Sequence, residues 1–132
     1  MAHVLDNPIY NALTSGNKHF AIGDGSAFYF QQDVAPFAGM NDNSPADFDA
    51  LINNLPDESV FVIFSRDEVA IPENLKVLRH FKMFQMVYEG ETPIAETNYT
   101  LSDLAEVHID EMLALTKLTN PGPFLQRTIE FS

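Results

Sequence analysis

Asn120-Pro121-Gly122-Pro123 interrupts the chain where it would otherwise be most regular. Neither proline suits a helix interior, because the ring removes an N–H donor and clashes with the preceding turn, while Gly122 can turn freely. Before the break, Val107 to Leu118 predicts a helix. Ile109, Met112, Leu113 and Thr116 form its inward stripe, which Leu115 and Leu118 widen. After the break, Pro123 fits the first turn of a second helix carrying Phe124, Leu125, Thr128 and Ile129. Such a helix–NPGP–helix unit needs a surface to lie on, and no strand follows it within these 132 residues.

Without covering strands the helix pair is expected to expose an apolar patch, and the earlier segments form an α/β body before it. Asn7 and Pro8 predict a helix start, and the short helix to about Thr14 is expected to end at Gly16. His19 to Gly23 and Ala27 to Gln32 flank Asp24-Gly25-Ser26 as a hairpin. Asp33 to Asn43, with Pro36 and Gly39, predicts an irregular edge strand or loop. Ser44 then caps a helix opened by Pro45 and ended by Pro56, with Phe48, Leu51, Ile52 and Leu55 on one stripe. Ser59 to Phe64 is a continuous apolar run of strand length, which suits a central strand covered on both faces.

Pro72 opens another short helix, with Leu75 and Leu78 inward, and Lys82 to Glu89 alternates as a strand. Phe84, Met86 and Tyr88 lie on one face of it, with Met83, Gln85 and Val87 on the other. Asn98 to Leu104 predicts a further strand. The expected fold is therefore α/β (α+β): a mixed β-sheet of about five strands with short helices packed on it, ending in the helix–NPGP–helix unit. The loop Gly90–Glu96, with Pro93, divides an N-terminal α/β domain (1–96) from a second unit (97–132) packed with it.

Charge and composition exclude several function classes. Nineteen carboxylates against seven basic residues give a net charge of −12, which would repel a polyanion, so no nucleic-acid binding is expected. The loose group Lys76, Arg79, Lys82 is the only basic patch and reads as a solvated face. With no cysteine there is no disulfide framework, thiolate nucleophile or zinc ribbon. The longest strongly apolar run, Val60 to Phe64, is far short of the roughly 20 residues of a membrane helix. The start, MAHVLDNPIY, lacks the basic and apolar regions of a signal peptide, so a soluble cytoplasmic protein with no membrane partner is expected.

Motifs for cofactors and catalysis are weak. Gly23 and Gly25 make half of a phosphate loop, but an aspartate separates them and no helix follows. Asn41, Asp42, Asn43, Asp47 and Asp49 lack the glycine and terminal glutamate of a calcium loop, and they are better explained as a helix start. His3, His19, His80 and His108 show no ligand spacing, and His108 reads as a solvated imidazole. No serine sits in a nucleophile elbow. No residue is predicted to be catalytic, and no metal site is expected.

The strand at Tyr99, the helix ending LALTKLTNPGPF and the following QRTIEF resemble the opening of the GNAT superfamily of N-acetyltransferases. They are most similar to bacterial members that carry an extra N-terminal α/β domain. The resemblance covers Tyr99 to Phe131. It implies that Thr119, Asn120, Pro121, Gly122, Pro123, Phe124, Arg127 and Thr128 line one side of the cleft for a small-molecule or peptide amine acceptor. Stiff prolines, the Phe124 ring and a cationic Arg127 that could meet a carboxylate agree with that role.

The resemblance also implies acetyl-CoA as the cofactor of the full-length family. This chain departs there, because the family's pyrophosphate-binding turn is glycine-rich and no glycine lies beyond Gly122. No cofactor is therefore expected on this chain, and the chain alone should not catalyse transfer. Two functions follow as expectations: the N-terminal portion of a GNAT-type acetyltransferase, or a non-catalytic interaction module that dimerises through an exposed apolar face.

Overall fold

The computed structural model describes residues 2–92 and 95–131, so Pro93 of the predicted loop lies outside the described residues. Helix α1 (Pro8–Leu13) leads into the strands β1 (Ala21–Asp24), β2 (Ala27–Phe30) and β3 (Ala38–Met40). Helix α2 (Pro45–Asn54) follows, and α3 (Ile109–Thr119) comes late in the chain. The strands form one antiparallel sheet in the order β1-β2-β3, with Ala21 opposite Phe30 and Ala27 opposite Met40. At the β1–β2 turn Gly23 adopts φ +126°, and a Cβ there would collide with the Ala27 carbonyl.

Strand alternation sorts the core into two layers. Ala27, Tyr29, Ala38 and Met40 pack with Phe48 and Leu51 of α2. Phe30 joins Leu13, Phe20, Val34 and Ala35 in a second cluster, against which Ile9 of α1 and Phe28 pack. Fully burying one such side chain stabilises a fold by about 1.5–3 kcal/mol, so Phe48 and Leu51 are the main apolar anchors of α2. Tyr29 secures the same helix from the polar side: its hydroxyl donates to the Asn54 carbonyl at 2.9 Å.

Helix α2 starts as its sequence predicts. The Ser44 hydroxyl accepts the Asp47 N–H, and the Asp47 carboxylate accepts the N–H of Ser44 in return. Helix α1 differs in detail. Asn7 makes no cap, and the helix ends at Thr14, whose hydroxyl bonds to the Tyr10 carbonyl, without a left-handed Gly16.

Among the described residues the sheet has three strands, not the expected five or so, and these three pair purely antiparallel. Ser59–Phe64 contributes only a single parallel bridge, Phe37 to Val62. The Val62 N–H donates to the Pro36 carbonyl at 2.8 Å and the Val62 carbonyl accepts from Ala38 at 3.0 Å. Towards Val60 the ladder stops because continuing it would need an N–H on Pro36, which proline lacks. Towards Phe64 it would need the Ala38 carbonyl and the Met40 N–H, and Phe64 bonds to neither. Val60 and Val62 are accordingly exposed.

Lys82–Glu89 and Asn98–Leu104 form no strand, and both stretches are exposed. Pro72 starts a single turn, closed by Leu75 N–H to the Pro72 carbonyl, in place of a helix. The predicted second helix after Pro123 is only a 3-10 turn, Thr128–Glu130. Helix α3 keeps its stripe of Ile109, Met112, Leu113 and Thr116, but these side chains are half-buried. Among the described residues, no helix is long and apolar enough to cross a membrane.

Candidate functional site

The eight residues singled out from the sequence separate into two groups. Thr119, Asn120, Pro121, Gly122 and Pro123 lie exposed at the end of α3. Asn120 closes the helix in the left-handed region at φ 49°, its N–H donating to the Thr116 carbonyl at 2.8 Å. The Thr119 hydroxyl turns back to the Leu115 carbonyl. Phe124 is half-buried and begins the return towards the sheet.

Arg127 and Thr128 are held against the segment that links β2 to β3. The Arg127 guanidinium donates to the Gln31 side-chain oxygen at 2.6 Å, to Asp33 at 3.2 Å and to Glu130 at 2.7 Å. Its N–H donates to the Asp33 carbonyl, and the Thr128 hydroxyl to the Val34 carbonyl at 2.8 Å. Hydrogen bonds to Glu130 and Asp33 raise the Arg127 pKa further, and Arg127 in turn holds the Glu130 carboxyl below its usual range. The guanidinium that could have met a ligand carboxylate is thus paired within the chain. Sequence inspection missed its partners, Gln31 and Asp33, which stand just after the apolar β2.

A polar cleft of about 340 Å³ lies elsewhere, between the start of α1 and the loop after β3, with Asp6, Asn7, Tyr10, Asp42 and Arg66 in its walls. Arg66 reaches Asp6 at 3.4 Å. The His3 backbone N–H, followed by Arg66, keeps the Asp6 carboxyl low against a smaller opposing effect of desolvation. Among the described residues every buried side-chain polar atom has a partner, and no three His, Asp or Glu side chains converge as metal ligands. Two of the four histidines cap local turns. The Nδ1 of His108 accepts the Ala105 N–H at 2.9 Å, and that of His3 accepts from Leu5.

Neither Gly122 nor the start of α3 offers a cradle for a pyrophosphate. Gly122, the last glycine, sits in open space with no neighbour within 4 Å of an added Cβ, so it lines no close cradle. The first turn of α3 carries Asp110 and Glu111, whose charges oppose an anion at that helix end.

The most exposed chemistry is apolar. Phe81, Met83, Phe84, Met86 and Tyr88 stand in solvent, Phe84 at 98% and Met86 at 92% exposure, with Tyr99, Leu101 and Leu104 following them. No backbone–backbone hydrogen bond engages the described residues from Lys76 to Leu104. No family model, curated protein or solved structure matches this chain.

Proposed function

We propose that this chain is a protein-interaction module, working through association and not through chemistry on a bound substrate. The observation that carries the proposal is the run of exposed large apolar side chains from Val77 to Val107. Contiguous apolar surface on that scale marks contact sites, since isolated monomers rarely leave it open. Hydrogen exchange and an apolar fluorescent dye test the proposal on the pure protein. In the monomer, reached by dilution, fast-exchanging amides over Val77–Leu104 are expected, with dye binding abolished by Phe84→Asp and Met86→Asp together. Protected amides in a monomer that binds no dye would overturn it.

A second proposal is favoured by one feature: α3 ends in a left-handed Asn120 followed by Pro121-Gly122-Pro123, the break on which the GNAT resemblance rests. In that proposal the chain is the N-terminal portion of an amine acetyltransferase, with Thr119–Phe124 beside the acceptor. Acetyl-CoA would then be gripped by residues other than these. A thermal-shift titration of this chain with acetyl-CoA is expected to show no stabilisation, and a saturable rise in Tm would refute that division of roles.

A further inference from the structure

The bridge at Val62 fixes which way its neighbours face. Val62 directs both its N–H and its carbonyl at β3, through Pro36 and Ala38. Main-chain groups alternate sides along a strand, so Phe61 and Ile63 aim theirs away from the sheet. Neither takes part in a backbone hydrogen bond. The sheet therefore presents an open outer edge along Phe61–Ile63. Twenty residues later in the sequence lies a free strand former, Lys82–Tyr88, which alternates apolar side chains on one face and is itself unpaired.

Charge distinguishes the occupant of that edge. Lys76, Arg79 and Lys82 lie in or just before the free segment, no carboxylate occurs from Lys76 to Tyr88, and Glu89 and Glu91 follow it, so its basic end is the first one. The open edge is bracketed by exposed Asp57 and Glu58 on one side and exposed Asp67 and Glu68 on the other. The two halves of a complementary contact thus reside on one molecule, which is the condition for an isologous, twofold interface. We propose that two copies of this chain pair reciprocally, each laying its Lys82–Tyr88 segment along the Phe61–Ile63 edge of the other, with Lys76, Arg79 and Lys82 meeting the carboxylates at one end of it. The inference rests on the interaction-module proposal and names its partner as a second copy.

Strand addition satisfies main-chain donors and acceptors on both sides and covers apolar side chains in the same step. The overall charge of −12 on each copy does not forbid it. Exposed charges are screened beyond about 8 Å at physiological salt, so the local complement at the edge outweighs distant repulsion.

Charge reversal in two matched sets tests the pairing by sedimentation equilibrium on the full chain. The parent is expected to dimerise. Reversing the donor (Lys76→Glu, Arg79→Glu, Lys82→Glu) should weaken association at least about tenfold, and so should reversing the acceptor (Asp57→Lys, Glu58→Lys, Asp67→Lys, Glu68→Lys). All seven positions are exposed, so the fold should survive both sets. Mixing the two variants restores opposite charges at both contacts, and a heterodimer should re-form. A monomeric parent, dimerisation indifferent to both sets, or a mixture that stays monomeric would each overturn the inference. If the parent is monomeric but still binds the apolar dye with fast amides at Val77–Leu104, only the choice of partner fails. If those amides are protected in a monomer, the module proposal fails with it.

Discussion

The Asn7 side chain donates to the Met40 carbonyl across 2.7 Å and to the Asn41 carbonyl at 3.1 Å, tying the start of α1 to the end of β3. One carboxamide thus stands in for a neighbouring strand at the outer edge of β3. Replacing it with Ala leaves the part-buried Met40 carbonyl without that partner. Asn7→Ala should lower the unfolding free energy by about 1–2 kcal/mol, read as a lower urea midpoint at unchanged m-value.

Gly39 shows how closely α1 approaches the sheet. A methyl group built there would lie 2.3 Å from the Tyr10 backbone nitrogen and 2.8 Å from the Ile9 carbonyl carbon. Both obstacles are backbone, so relief requires the helix to move off β3. Gly39→Ala should therefore cost more than the usual overpacking change, roughly 2–3 kcal/mol or more, in a denaturant melt. A midpoint within error of the parent would mean that α1 docks more loosely than this.

Asp47 gives the fold an acid limit. The residue is buried, at 6% exposure, and its carboxylate accepts the N–H groups of Asp42 and Ser44. Burial is the largest single influence on its pKa and would raise it. The Ser26 hydroxyl, the Asp42 and Ser44 N–H groups and the Ser44 hydroxyl together outweigh burial and hold the pKa below 3.8. A depressed carboxyl pKa contributes stability that is complete above the unfolded value and is lost as pH falls through the folded one. Asp47→Asn should flatten the loss of stability below about pH 4, measured by urea melts across pH 2–6. At neutral pH the same variant should be less stable than the parent, by about 1 kcal/mol for the weakened cap.

Local signals were readable where one residue sets one structure. Ser44-Pro45 with Asp47 marks the start of α2, Asp24-Gly25-Ser26 marks the hairpin, and the stripe of α3 has the right members. The sheet was harder to read because strand length and apolarity do not report whether a partner edge is free. Ser59–Phe64 has the composition of a central strand, yet it pairs only at Val62, and the missing N–H of Pro36 closes the ladder towards Val60. That obstacle lies far away in sequence. Arg127 illustrates the same limit at the candidate site. It is identifiable as a cation after a turn, but its partners Gln31 and Asp33 are 96 and 94 residues distant.

The return of the chain end to the sheet can be dissected into two physically different contacts. The Phe131 ring meets Phe30 edge-on with centroids 5.1 Å apart and Phe20 at 6.0 Å, extending the second core cluster. Arg127 contributes charged hydrogen bonds to Asp33 and Glu130 near the surface. Salt screens the second kind of contact and leaves the first largely untouched. Phe131→Ala should therefore release the segment at any ionic strength, with faster exchange at the Arg127 amide that donates to Asp33 and a stability loss of about 1–2 kcal/mol. Arg127→Gln, which cannot pair with either carboxylate as a cation, should accelerate the same amide strongly at low salt and by much less near 1 M. Equal acceleration by Arg127→Gln at both salt concentrations would show that the guanidinium holds the segment through its neutral bond to Gln31 instead.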